Sequence, residues 1–162
     1  MHKEIEKPIK LNLGSGFRYM NGYINIDIRP ECKPDLLCDV TQGLPFDDDS
    51  VEEVRAVDFL EHIPMETCQS VIEEIWRVLV PGGRLTHSTP STDGRGAFQD
   101  PTHRSFWNIN TWMYYMDDAH RGSIGTRAKF YGANIDSITN PEKKIIHTKG
   151  TLYAHKNIQN SK

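Results

Sequence analysis

At 162 residues the chain is long enough for one domain with a sizeable core, and too short for a cofactor domain plus a separate substrate domain. Its 37% hydrophobic and 25% charged residues are ordinary for a globular protein, and a formal net charge of -3 excludes the basic footprint of a nucleic-acid or membrane-surface binder. Small molecules or proteins are therefore the expected partners; residues 1–7 lack a signal-peptide apolar core and no stretch approaches a membrane span, so a cytoplasmic location is expected. Cys32, Cys38 and Cys68 form no close Cys-x-x-Cys set and read as reduced thiols.

In chain order, Ile9 to Leu13 reads as a buried strand, Gly14-Ser15-Gly16 as a glycine turn, and Tyr23 to Asp27 as a second strand ending in an acid. That order fits a nucleoside binder, because glycines let the backbone approach a ligand and a terminal acid can accept from ribose hydroxyls. A nicotinamide fingerprint would place a third glycine at Tyr19, and a phosphate loop would need a Gly-Lys-Ser/Thr ending that the sequence lacks. Phe17 to Gly22 is too short and turn-like to hold a full helix between the two strands, so a first helix there is expected to be truncated. A third strand is expected within Asp35 to Val40, a loop over Thr41 to Ser50, and a fourth strand within Val51 to Phe59.

Pro64 suits a helix start, and Ile72, Ile75, Trp76 and Leu79 recur at helical spacing before Pro81-Gly82-Gly83. A fifth strand is expected over Arg84 to Ser88, ended by Pro90, followed by a polar irregular stretch from Ser91 to Ser105. Thr111 is placed as the cap of a short aromatic helix, Trp112 to Met116. Lys144 to Thr148 and Thr151 to His155 read as an antiparallel hairpin around Lys149-Gly150. The whole is expected to be a single α/β domain over residues 1–162, with a mostly parallel central sheet and a C-terminal antiparallel hairpin.

Six segments in order carry a family likeness: Leu11-Asn12-Leu13-Gly14-Ser15-Gly16, Asn25-Ile26-Asp27, Asp39-Val40, Leu44-Pro45-Phe46-Asp47, Phe59-Leu60-Glu61-His62-Ile63-Pro64 and Arg77-Val78-Leu79-Val80-Pro81-Gly82-Gly83. Together they resemble class I S-adenosylmethionine-dependent methyltransferases, of a small methyltransferase-domain subgroup, over roughly positions 9 to 90. Phe98 to Phe106 also looks like a motif of that subgroup. The resemblance implies a Rossmann-like fold and S-adenosyl-L-methionine as cofactor. It assigns cofactor contacts to Asn12, Gly14, Ser15, Gly16, Asp27, Ile28, Asp39, Val40, Asp58 and Leu60. Among them Asp27 would take the ribose hydroxyls, and Asp39 with Val40 would meet the adenine. Asn12 stands where the family usually has an acid, and Arg18 where it usually has a third glycine.

His62 lies just past the fourth strand, at the sheet edge where open α/β folds place ligands. Asp100, His103 and Arg104 lie in the loop after the fifth strand and are the candidate substrate-binding residues; His103 and His62 are the candidate catalytic residues, since imidazole titrates near neutrality. A metal set of His103, Asp100 and His62 has no close ligand spacing, and no metal is expected. Trp107, Trp112, Tyr114 and Tyr115 read as core, and Arg121, Arg127 and Lys129 as a solvated face.

The expected activity is methyl transfer to a small-molecule or carbohydrate-like acceptor. Oxygen is favoured as the nucleophile, since no Asn-Pro-Pro-Tyr-type sequence follows the fourth strand. The alternatives are a catalytically silent cofactor-binding module that regulates or scaffolds a partner, and an enzyme that cleaves the cofactor itself.

Overall fold

The structure is a computed structural model, and it describes residues 8–140, 142 and 145–156. Residues 1–7, the subject of the signal-peptide reading, and Lys144, the expected first residue of the hairpin, lie outside them. Seven strands form one sheet: β1 (Ile9–Leu13), β2 (Ile24–Asp27), β3 (Leu36–Leu37), β4 (Val51–Val57), β5 (Leu79–Pro90), β6 (Phe130–Asn140) and β7 (Ile145–Ala154). The spatial order is β3-β2-β1-β4-β5-β7-β6. The first five strands run parallel, and β7 joins antiparallel to both β5 and β6. Strand order reverses at β1, so β1 and β4 flank the switch point where such sheets hold ligands.

The long helix α1 (Met65–Val78) covers one face of the sheet. Cys68, Val71, Ile72, Ile75 and Val78 make its buried stripe, at the three- and four-residue spacing of an amphipathic helix. They pack with Leu11, Leu13, Val54, Ala56 and Leu85 of the strands. Each valine, leucine or isoleucine among them, taken fully from water, contributes about 1.5–3 kcal/mol. The helix stops at Val78 because Leu79 turns extended and enters β5, where it pairs with Val51. Pro81-Gly82-Gly83 is therefore an excursion inside β5 rather than the helix stop.

The connection from β1 to β2 holds no helix, as its length demands. The opposite sheet face carries polar side chains instead. Register places Lys10, Glu53 and Arg84 side by side, and Glu53 pairs with Arg84 at 2.7 Å and with Lys10 at 3.7 Å. The strand alternation thus encodes a two-layer α/β fold with one wet face, unlike most parallel sheets.

Three expectations shift. The hairpin is β6 against β7, and Lys149-Gly150 lies inside β7, where Gly150 pairs with His87 of β5. The expected third strand shrinks to Leu36–Leu37, and Asp39 caps a following 3-10 turn. The cap before the aromatic segment is Asn108, with Thr111 as its capping-box partner; a 3-10 turn then leads into α3 (Met113–Met116). Trp107, Trp112 and Tyr115 are core, as expected, and Tyr114 is partly exposed.

Candidate active site

The carboxyl ends of β1 to β4 converge on one cavity of about 630 Å3. Gly14, Asp27, Ile28, Asp39, Val40 and Asp58 line it, as does His62. Thr102 and Arg104 of the loop after β5 line it as well. That loop carries the short α2 (Gly96–Gln99), and it is tied to the end of β4. The amides of Arg104 and Ser105 donate to the Glu61 carbonyl at 2.7 and 3.1 Å, and Ser105 Oγ donates to the Leu60 carbonyl at 2.7 Å.

The glycine turn and the acid of β2 form one unit. The Gly16 amide donates to Asp27 Oδ2 at 2.7 Å, and the Arg29 amide donates to Oδ1 at 2.9 Å. Burial pushes the Asp27 carboxyl up, but the Arg29 and Gly16 amides and the Arg29 guanidinium outweigh it, and its pKa falls below the ordinary value. Asp27 is therefore a fixed anion at neutral pH. Gly14 and Gly16 both have positive φ, at 59° and 50°, and a Cβ on Gly14 would lie 2.3 Å from Phe59 Cδ2. The first glycine is required by the Phe59 ring at its back as much as by any ligand.

Asp39 Oδ1 accepts from the Thr41 amide and hydroxyl at 3.0 and 2.7 Å. Asp58 is held at a φ of 50°, a region few non-glycine residues adopt, and its carboxylate pairs with Arg18 at 2.7 Å. The donor chemistry fits an adenosine. Asp27 and Asp39 are acceptors for hydroxyl and amino donors, while Ile28, Val40 and Ile63 offer apolar contact to a flat base.

Four of the residues assigned to the cofactor do not line this cavity. Asn12 is fully buried and faces the polar side of the sheet, donating to Asn25 and accepting from Arg55. Ser15 is buried beside the turn with its Oγ unpartnered, Leu60 is core, and Gly16 acts through Asp27. His103 also lies outside the lining. Its side chain is 6% exposed, and its Nδ1 lies 2.9 Å from the Ala97 carbonyl. His62 faces the cavity, with the His103 ring edge-on behind it at 5.2 Å between centroids. Asp100 accepts from Thr102 and lies 3.8 Å from His103 Nε2.

Sequence reasoning missed Arg29, Cys38, Thr41, Phe59, Ile63 and Thr102 as lining residues, although most adjoin residues it named. Glu61 is nearly fully buried; burial pushes its carboxyl up, opposed by the Thr89 hydroxyl that donates to it at 2.6 Å. Arg121, Arg127 and Lys129 line a second cavity of about 600 Å3 at the far end of α1. There Arg121 and Lys129 pair with Asp118, and Arg127 with Glu73.

Residues 18–86 match the family described as "Methyltransferase domain". No curated protein matches the chain. Among solved structures, a chain of the complex between the Haloferax volcanii Trm112 methyltransferase activator and a methyltransferase aligns with a TM-score of 0.70 at 17% identity, covering 96% of this chain and 85% of that one. A Methanosarcina mazei S-adenosylmethionine-dependent methyltransferase aligns at 0.63 and 16% identity, covering 94% and 95%. A Burkholderia thailandensis 1,6-didemethyltoxoflavin-N1-methyltransferase, solved with S-adenosylhomocysteine, aligns at 0.63 and 13% identity, covering 93% and 72%.

Proposed function

We propose that the chain is a class I S-adenosylmethionine-dependent methyltransferase that methylates an oxygen of a small-molecule or carbohydrate-like acceptor entering beside His62, Thr102 and Arg104. The observation that supports this most is the cavity itself, which has acids at the ends of β2 and β3 on one side and a histidine, a threonine and an arginine on the other. When bound, S-adenosylmethionine supplies an electrophilic methyl group on a sulfonium sulfur. Asp27 and Asp39 hold the adenosine, and Ile28 and Val40 exclude water from the base. Positioning the acceptor behind the methyl group contributes about 7–11 kcal/mol in favourable cases. His62, facing the cavity, orients the acceptor hydroxyl, and His103 and Asp100 support it from behind. Three free cysteines accord with a cytoplasmic location for this activity, and no helix among the described residues is long and apolar enough to cross a membrane.

The test is methyl transfer from labelled S-adenosylmethionine across a panel of hydroxylated, carbohydrate and amine acceptors. Label on an oxygen supports the reading, and turnover confined to amines overturns its oxygen preference. Loss of cofactor without any acceptor would instead indicate cofactor cleavage.

A partner-dependent reading is favoured by two observations. Phe17, Tyr19, Ile28 and Leu37 are exposed apolar side chains around the β2–β3 edge, and the Haloferax volcanii neighbour was solved in complex with an activator protein. Cofactor binding without turnover, together with a stable complex with a second protein, would favour it.

A further inference from the structure

Glu61 is a carboxylate that the cofactor reading leaves unexplained. It is 2% exposed, Thr89 Oγ1 is its side-chain partner, and no lysine or arginine among the described residues pairs with it. Buried carboxylates are ordinarily paired with a cation or bound to a metal. Two histidines stand beside it: Glu61, His62 and His103 each present a ligand atom, and these atoms lie within 4.8 Å of one another. Two donors about 2.1 Å from one ion are at most about 4.2 Å apart, so side-chain movements on the order of 1 Å close the set.

The buried His103 ring is oriented as metal-binding histidines are, and His62 is held more loosely beside it. His103 Nδ1 lies 2.9 Å from the Ala97 carbonyl, and His62 Nδ1 makes a longer 3.4 Å contact with the Thr102 carbonyl. A carbonyl only accepts, so His103 Nδ1 carries the hydrogen and its Nε2 keeps its lone pair, while His62 Nδ1 also lies 3.3 Å from the Thr102 hydroxyl and that exposed ring can present either nitrogen. The same backbone ties hold the two segments together, since Arg104 and Ser105 both donate to the Glu61 carbonyl. Asp100 Oδ2, 3.8 Å from His103 Nε2, is a further oxygen donor at the rim.

We propose that Glu61, His62 and His103 bind a divalent transition-metal ion at the acceptor end of the cavity, with open positions that take the acceptor's hydroxyl oxygen. Two imidazoles and one carboxylate suit Mn2+, Fe2+, Co2+ or Zn2+ better than Mg2+ or Ca2+. The inference rests on the methyltransferase reading for its chemistry, because His62 lines the same cavity as Asp27 and Asp39. The cation lowers the pKa of the hydroxyl it binds. The hydroxyl proton goes to solvent, and the oxygen bonds to the methyl carbon as the carbon–sulfur bond breaks. The electron pair of that bond stays on sulfur, and S-adenosylhomocysteine leaves as a neutral thioether.

The experiment titrates the untagged, chelator-treated full chain with Mn2+, Co2+ and Zn2+ alone, followed by calorimetry and by the Co2+ absorption spectrum. One site per chain is expected, weakened about a hundredfold or more in Glu61→Gln, His62→Ala and His103→Ala. His120→Ala, in an exposed histidine paired with Asp117, should leave the site unchanged. Circular dichroism and S-adenosylhomocysteine affinity are read on the same preparations. Failure of the parent to bind S-adenosylhomocysteine would sink the cofactor reading while leaving the metal titration readable. Because His62 is exposed, His62→Ala remains informative if a buried variant misfolds. No stoichiometric binding by the parent, or binding that survives His62→Ala together with every other folded variant, overturns the proposal.

Discussion

The Gly16 amide donates to Asp27 Oδ2 at 2.7 Å, which makes the turn after β1 and the acid ending β2 one rigid element. The Arg29 guanidinium holds the other oxygen at 3.2 Å, so on the proposed reading ribose hydroxyls would meet a carboxylate that is already ionised and partly occupied. Asp27→Ala should weaken S-adenosylhomocysteine binding about ten- to a hundredfold, the scale for hydrogen bonds to a charged group. Arg29→Ala removes only the competing cation and should leave affinity equal or tighter. Calorimetric titration checks both, and unchanged affinity in a folded Asp27→Ala would remove Asp27 from the site.

Gly14→Ala sets two costs against each other at one atom. A φ of 59° is unfavourable for any residue with a Cβ, and that Cβ would meet the Phe59 ring at 2.3 Å. Together they should destabilise the fold by about 2 kcal/mol or more. Urea unfolding of Gly14→Ala, and of Gly14→Ala with Phe59→Ala relative to Phe59→Ala alone, separates the terms. The clash is lost in the second pair and the backbone strain remains. A fully stable Gly14→Ala would contradict this placement of Phe59.

Asp39 caps a turn, and one variant can part that structural role from the proposed adenine contact. Asp39→Ala removes the cap on the turn at Val40–Gln42 and should cost about 1 kcal/mol of stability. It should also lower affinity for S-adenosylmethionine and S-adenosylhomocysteine by similar factors, because the adenine contact is common to both. An analogue lacking the adenine amino group should then cost the parent much and the mutant little. Equal losses in the two proteins would show that Asp39 is not its partner.

His87, in the middle of β5, is fully buried against Trp112 at 4.2 Å between ring centroids, and neither ring nitrogen has a partner among the described residues. Burial pushes its pKa down to about 3. The unfolded chain takes up this proton near pH 6.5 and the folded protein does not, so the stability is fully present above pH 6.5 and is lost as pH falls toward 3. The loss should reach about 2–3 kcal/mol between pH 7.5 and 4.5. Denaturant unfolding of parent and His87→Leu across that range should show a slope steeper in the parent by that amount, the remainder coming from carboxylates common to both. Equal slopes would place the titration elsewhere.

The sheet and α1 were legible because their signals are periodic. Leu11, Leu13, Val54 and Ala56 alternate, and Val71, Ile72 and Ile75 recur on one helical face. The hairpin was misplaced because Lys149-Gly150 looks like a turn, whereas pairing of Gly150 with His87 requires an extended chain there. β6 escaped because an edge strand carrying Asp136, Ser137, Thr139 and Asn140 has little apolar pattern to read. In the site, Gly14, Asp27 and Asp39 follow from their places at strand ends. His103 gave no sign that it sits behind His62, since that depends on Arg104 and Ser105 folding back onto Glu61. The grouping of Glu61 with two histidines is likewise a tertiary contact that residue spacing does not encode.

The most direct test of the central claim is a crystal structure with S-adenosylhomocysteine bound. The adenosine should lie beside Asp27 and Asp39, with the sulfur directed at His62 and Thr102. Adenosine in the second cavity near Trp76 and Lys156, or sulfur turned toward Ile28 and Thr41, would contradict the account.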